Sequence, residues 1–449
     1  YICRLYKKQP IARTLLDRNL SMRRIKIMSI LVCSLLVNVL QAQQDEVRSS
    51  VLQLNTITTA VPFLIINPET RGGGMGDVGV STSPDGNSLH WNVAKYAFIE
   101  GKSGASISYT PWLRALVPDI SLSYLTGYYR IDKMSTVAVG LRYFSLGNIQ
   151  FTDQFGNNTV QFTPNEFALN AGYSRKLAQR LSGGLSAKFI TSNLTGGQTV
   201  GGANSKPGRT IAVDLGVFYT NDDLVMFDKD VVVSWGAAIS NLGAKISYTD
   251  ATTRDFLPIN LRLGPTVMWH LNDFNKISAS VDFNKYMVPS PPKYAEDANG
   301  NFQQDANGNF VISSGLDPDR PVPSAVFTSF YDAPGYGDYN DAGEWEPISA
   351  GVLREELNEV SAGIGIEYWY DNQFAFRTGY FTEHFSKGNR KYLTLGAGLK
   401  LNVFSLDFSY LISTYNVRRN VGTTSPLANT LRFTLSFNFD EMSKAEGTD

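Results

Sequence analysis

From about Ala105 onward, apolar and polar residues alternate with a period of two, in short segments broken by turn-forming residues. The last segment shows it most clearly. Leu431, Phe433, Leu435, Phe437 and Phe439 alternate with Arg432, Thr434, Ser436 and Asn438. In the same way Leu393, Leu395, Ala397, Leu399 and Leu401 oppose Thr394, Gly396, Gly398, Lys400 and Asn402. Successive side chains of a strand point to opposite faces, so each segment has one greasy and one polar side. The pattern predicts fourteen strands, at 105–112, 119–131, 135–153, 165–177, 181–194, 210–220, 231–243, 259–271, 275–288, 358–372, 373–383, 391–403, 404–414 and 429–439.

The links between these segments carry independent information. After even-numbered strands they are tiny: Asp132-Lys133-Met134, Ala178-Gln179-Arg180, Asn272-Asp273-Phe274, and turns near Asn372 and Val403. After odd-numbered strands they are longer, at 154–164, 195–209, 244–258, 289–357, 384–390 and 415–428. A modest first loop at 113–118 and a longer sixth at 221–230 are the exceptions. This asymmetry is how outer-membrane barrels are built, and an even strand number puts both termini on the short-turn, periplasmic side. A β-sandwich has no reason to alternate its loop lengths, and a propeller would show a blade-length repeat. The expected fold is therefore an all-β transmembrane antiparallel barrel of about 14 strands over 105–439, with long extracellular loops.

The predicted inward face carries Arg142, Lys188, Asp214, Arg262, His270, Asp282, Glu367, Arg377, Lys400, Asp407 and Arg432. Gly140, Gly172, Gly184, Gly216, Gly363, Gly365, Gly396 and Gly398 share it. Mixed charges pair with one another and glycine lets walls approach, so a narrow or collapsed interior is expected. Pro265, in mid-strand, cannot donate a ladder bond and is expected to mark a kink or bulge where a lateral gap could open.

Composition agrees with a β-rich chain: 12% aromatic residues, 18% charged and 39 glycines, with a mean hydropathy of -0.15 that excludes a polytopic helical membrane protein. The one long apolar run, Ile27–Leu40, has 14 residues, short of the ~20 a spanning helix needs. Met22, Arg23, Arg24 and Lys26 precede it and Gln41-Ala42 follow, the layout of a secretory signal peptide over 22–42 cleaved after Ala42. Tyr1–Ser21 then lies upstream of the exported protein, 43–104 forms an N-terminal periplasmic or hatch segment, and 440–449 a periplasmic tail. Val32 is too large for a lipoprotein signal before Cys33, which reads as an ordinary residue of the apolar run. Both cysteines, Cys3 and Cys33, fall in the removed part, so no disulfide or cysteine metal site is expected. Removal also takes eight of 40 Lys+Arg and one of 41 Asp+Glu, leaving 32 against 40 and a net charge of −8. An acidic exported chain argues against a nucleic-acid partner.

Three further patterns bear on chemistry. Gly74-Met75-Gly76-Asp77-Val78-Gly79 matches GxGxxG, but no βαβ unit surrounds it, so a tight glycine turn is the better reading than a dinucleotide site. His90, His270 and His384 lack metal-ligand spacing, and no GxSxG or Ser/His/Asp set stands out, so neither catalytic nor cofactor residues are expected. The long link 289–357 holds twelve Asp/Glu against three Lys/Arg and repeats Asp-Ala-Asn-Gly-Asn-Phe at Asp297–Phe302 and Asp305–Phe310. Alternating oxygen ligands before a glycine turn make Asp297, Asn299, Asp305, Asn307, Asp338 and Asn340 calcium candidates, although the full set of a calcium loop is missing. The alternative is a solvated Asn-Gly turn repeat. Phe327, Phe330, Tyr331, Tyr336, Tyr339 and Trp345 cluster beside these acids and form a candidate protein-binding surface, or a lid folded over the barrel mouth.

The stretch Phe63 to Val80, FLIINPETRGGGMGDVGV, and its continuation Pro84 to Lys95, PDGNSLHWNVAK, resemble the N-terminal signature of the PorV/PorQ group. These are outer-membrane components of the Bacteroidetes type IX secretion system, within the FadL-type fold of fourteen-stranded barrels with an N-terminal hatch. Val93 stands where many relatives have proline. The resemblance extends over the mature chain through its strand count and its Asp/Tyr-rich loop. It implies a non-enzymatic carrier that binds the translocon barrel, receives cargo bearing a C-terminal signal domain, and delivers it to the attachment complex at the cell surface. The competing expectation is a FadL-type transporter of hydrophobic small molecules, which needs an apolar pocket and a movable hatch. A general porin would need an open channel.

Overall fold

The computed structural model describes residues 54–440, apart from 115–116, 118, 153–154, 198, 201–202, 250–253, 298, 415–426 and 428. The expected leader, its cleavage point, residues 43–53, most of the loop 415–428 and the tail after 440 lie outside the described residues.

Fourteen antiparallel strands close into one barrel. They are β1 (Ser103–Pro111), β2 (Ser121–Arg130), β3 (Ser135–Ser145), β4 (Asn165–Ala178) and β5 (Leu181–Asn193). Next come β6 (Gly208–Met226), β7 (Lys229–Gly243), β8 (Asn260–His270) and β9 (Asn275–Tyr286). The last five are β10 (Ser361–Tyr370), β11 (Phe374–Thr382), β12 (Lys391–Lys400), β13 (Phe404–Ser413) and β14 (Thr430–Asn438). Each pairs with the next, and β1 meets β14 from Gly104↔Asn438 to Tyr109↔Phe433, which abolishes the free edges. Alternation sorts the side chains as expected: Leu125, Val139, Leu169, Ile211, Trp235 and Phe376 are exposed on the outer wall, while Arg142, Asp282, Glu367, Arg377 and Arg432 are buried inside.

Four details differ from the sequence expectation. The sixth link is no exception, because β6 and β7 continue to a tight turn at Phe227-Asp228, both in left-handed conformation. A register shift between Asn221 and Leu224 reverses the phase of the alternation there, which hid the strand. With it, every even-numbered strand ends in a short turn and every odd-numbered one in a longer loop. Strand β3 stops at Ser145; Ile149–Thr152 instead pairs with Asn158–Phe162 in a separate hairpin. Strand β10 begins at Ser361, since a helix (Gly351–Asn358) occupies the residues before it. Pro265 interrupts the ladder without a bulge. The β8–β9 pairing skips Gly264 and Pro265 but resumes at Thr266↔Ser280 in the register of Leu263↔Phe283, and the Val281 carbonyl packs against Gly264.

Candidate functional site

The interior is filled by the chain ahead of β1. A 3-10 turn at Pro62–Leu64, two single helical turns at Thr70–Gly73 and Ser88–Trp91, and a 3-10 segment at Val93–Phe98 follow one another there, mostly buried. Glu69 caps the second turn by accepting from the Arg71 and Gly72 amides, both at 2.6 Å, and from Trp91 Nε1 at 2.9 Å. Buried Lys95 donates to the Gly79 carbonyl and to Thr82 Oγ1, both at 2.9 Å. The residues of the N-terminal signature thus fold the plug on itself.

They also bind it to the wall all the way round. Thr70 hydrogen-bonds Thr434 on β14 through both its amide and its hydroxyl. Arg71 donates to both Glu367 oxygens on β10, at 2.9 and 2.7 Å, and to Asp85 within the plug. The Gly76 amide meets Thr394 on β12, and the Gly79 and Val80 amides share Asp282 Oδ2 on β9. Asn92 donates to the Val217 carbonyl on β6, Ser182 on β5 donates to Ala94, and Arg142 on β3 donates to the Phe63 and Leu64 carbonyls. The bonds to Glu367, Asp282 and Arg142 are charge-assisted and contribute about 1.5–3 kcal/mol each, the neutral ones about 0.5–1.5 kcal/mol.

The inward charges pair with one another as expected, and Glu367 also takes an ion-pair partner from the plug. Glu367 lies between Arg71 and Arg377, Arg377 also meets Asp407, and Lys188 meets Asp214 at 2.8 Å. Lys400 is exposed and His270 half-exposed at the short-turn end. The inward glycines serve a different purpose from the one expected. All but Gly398, which faces Asp407 and Arg377 of the wall, make room for the plug backbone and side chains. A methyl group at Gly363 or Gly365 would strike the Gly76 or Met75 carbonyl, and one at Gly184 would sit 2.8 Å from the Ala94 amide. Gly379, outside the expected set, presses on the Met75–Gly76 peptide. The GxGxxG stretch is a glycine turn, with Gly76 at φ +73° and Asp77 at +58°, seated against β10 and β11.

Two cavities flank the plug. One of about 380 Å³ opens at the short-turn end and is lined by Arg71, Asp85, Arg377, Lys400 and Asp407 among others. The other, about 60 Å³, lies toward the long-loop end. The first also carries Phe98, Ile99, Tyr128, Met268, Trp369 and Phe437, so its wall mixes apolar and charged groups.

The loop 287–360 is a structured cap. Short hairpins join Lys293–Tyr294 to Ile312–Ser314 and Gly337–Tyr339 to Trp345–Pro347, and helices run over Val322–Thr328 and Gly351–Asn358. The six aromatic candidates divide into two groups. Trp345 is buried and donates to the Gly335 carbonyl, its ring 5.1 Å from Tyr339. Tyr339 donates to the Tyr294 carbonyl, and the Tyr336 hydroxyl meets Ser386 and Asn358. These three pack within the loop, Trp345 buried and the two tyrosines half-buried. Phe327, Phe330 and Tyr331 are exposed, at 75%, 47% and 61%. Leu353 and Leu357, which the sequence reading passed over, are exposed on one side of the second helix. Their i, i+4 spacing was the available signal.

Of the calcium candidates, Asp297 accepts from the Asn299 and Asn301 amides and from Asn301 Nδ2, and Asp305 repeats this with Asn307 and Asn309. Asn340 accepts from the Ala342 and Glu344 amides. The hexapeptide repeat is thus a pair of Asx turns, with Phe302 and Phe310 packed on Tyr294. Among the described residues no three His, Cys, Asp or Glu side chains are grouped to hold a metal ion.

Buried ion pairs clip this loop to the barrel rim. Lys285 on β9 donates to Glu356 and Glu359, and Lys387 of the 383–390 loop donates to Glu355 at 2.6 Å and Glu359 at 3.0 Å. Asn55 and the Gly335 amide complete the Glu355 carboxylate. Burial pushes the Glu356 carboxyl up, and pushes Asp332 up to about 6 against the opposing pull of Arg320.

A closed fourteen-stranded barrel with an apolar outer wall and a filled polar bore is the architecture of an outer-membrane barrel protein. The chain belongs to the PorV family of type IX secretion system proteins, whose family model matches residues 49–293. No curated protein sequence matches it. Similar solved structures include the Pseudomonas putida toluene transporter TodX, at 12% identity over 86% of this chain and 99% of that one, TM-score 0.42. The Ralstonia pickettii toluene transporter TbuX has 12% identity over 84% and 98%, TM-score 0.40. A Pseudomonas aeruginosa FadL homologue has 11% identity over 86% and 100%, TM-score 0.38.

Proposed function

We propose that this chain is a non-enzymatic outer-membrane carrier of the type IX secretion system. It binds the translocon barrel, takes up cargo bearing the C-terminal signal domain, and passes it to the attachment complex at the cell surface. One observation carries the reading: the bore is occupied by the protein's own chain, bonded to seven wall residues around the barrel. A barrel filled in this way works through its outside. The long loops face the cell surface and both ends of the barrel chain face the periplasm. Phe327, Phe330 and Tyr331 then offer aromatic area to a protein partner, while the apolar wall meets outer-membrane lipid.

The test is deletion of the gene, followed by parallel assays of surface display of signal-domain cargo and uptake of long-chain fatty acid. Lost display with normal uptake is expected. Normal display with impaired uptake overturns the proposal and makes the chain a transporter of hydrophobic small molecules.

A further inference from the structure

The small cavity of about 60 Å³ has an arginine with donors to offer. Arg262 projects into it from β8 and is only 8% exposed. Its Nε donates to Asn284 Oδ1 at 2.7 Å, and its guanidinium stacks 4.7 Å from the Trp91 ring. Among the described residues nothing accepts from its two terminal nitrogens.

The acids that share the lining are engaged elsewhere. Asp77 accepts from Asn67 and Tyr392, and Glu383 takes two bonds from Arg390, each 2.8 Å. Glu359 lies between Lys285 and Lys387 and also accepts from Ser290. What the cavity lacks is an acceptor for the two terminal nitrogens of Arg262. A guanidinium this deeply buried gains from an acceptor on each of them.

We propose that this cavity is a binding site for one small carboxylate, held by the two terminal nitrogens of Arg262 above the face of Trp91. A planar two-oxygen head fits the guanidinium fork. The volume suits a group the size of acetate, since one water needs about 10–15 Å³ measured this way. A free anion and a carboxylate borne by an inserted segment of a partner protein share this chemistry. The site does not depend on the secretion reading above.

The experiment titrates the purified full chain in detergent with sodium acetate, replacing gluconate at constant ionic strength, and follows the acetate methyl linewidth by NMR. Two variants are compared after each is shown to keep the heat-modifiable mobility of a folded barrel. Arg262→Gln removes the fork, and Ser361→Leu fills the cavity while leaving Arg262 in place. Saturable broadening is expected in the wild type, weakened at least about tenfold in each variant, as loss of one charge-assisted contact implies. If Arg262→Gln does not fold, Ser361→Leu decides alone. Absence of saturable binding in the wild type, or undiminished binding in a folded variant, overturns the proposal. The source is read from the peptide acetyl-Gly-Asp-Gly-amide and its Asn counterpart. Binding of the Asp peptide alone supports a protein-borne carboxylate, and binding of acetate but neither peptide supports a free anion.

Discussion

Replacing Lys387 by Met tests whether buried ion pairs hold the long loop on the barrel rim. The Lys387 side chain is 4% exposed, and its partners Glu355 and Glu359 are 2% and 1% exposed, so solvent screens the pair little. Methionine keeps the apolar stem and removes only the ammonium. Breaking a buried pair from one side costs about 3–5 kcal/mol, because the remaining carboxylates stay buried without their counter-ion. The low end applies here, since Glu355 keeps Asn55 and the Gly335 amide, and Glu359 keeps Lys285 and Ser290. About 3 kcal/mol on the local opening equilibrium is a roughly hundredfold loss of protection. Hydrogen exchange of the amides in the helix Gly351–Asn358 reads it directly, with β4 and β5 as an internal reference. Lys387 lies outside the strands, so the barrel should keep its heat-modifiable mobility. Protection that falls by less than about threefold, under roughly 0.7 kcal/mol, would refute the clip.

Excising Ser290–Pro347 should leave a heat-modifiable barrel and abolish pulldown of translocon or cargo; undiminished pulldown restricts the loop to a lid. Changing Phe327, Phe330 and Tyr331 together to Ala should give the same loss of pulldown without loss of folding, whereas Trp345→Ala should raise protease sensitivity of the loop by removing its buried core, a change of about 3–5 kcal/mol. Gly379→Val should drive the Met75–Gly76 peptide from the wall and raise ion conductance in planar bilayers; unchanged conductance means that the plug yields without opening a path. Because burial raises the Asp332 carboxyl to about 6, the folded loop binds its proton more tightly than the unfolded chain, so this contribution is full below about 4 and is lost as pH rises through 6. Exchange protection around Asp332, corrected for the intrinsic rate, should fall across that window, and Asp332→Asn should flatten the profile. Chelation should leave protease resistance between Asp297 and Glu346 unchanged, since the Asx turns already engage the candidate carboxylates; a chelator-dependent change would reinstate a calcium site.

The wall was legible in the sequence because one face of every strand meets lipid and the other does not, which imposes the period of two. It failed where a register shift reversed the phase at Asn221–Leu224, and where alternation in Ile149–Thr152 served a local hairpin rather than the wall. The plug was harder to read. Its turns are too short to have a period, and Arg71 and Asp77 show their roles only once strands hundreds of residues away are beside them. Similarly, Trp345 and Tyr331 are alike as aromatic loop residues; which one faces inward depends on packing within the cap, and no local pattern records that.

The bond from Thr70 to Thr434 joins residues 364 positions apart, beside the seam where β1 meets β14. Arg71 is likewise bridged to Glu367, and Asn92 to the Val217 carbonyl, so the core is fastened to both halves of the sheet. Seating the core and closing the seam are therefore coupled, because each leaves polar groups of the other unpaired until both are done. The contacts that couple them are among the most distant in the chain, the kind that slows folding and leaves sheet edges exposed meanwhile.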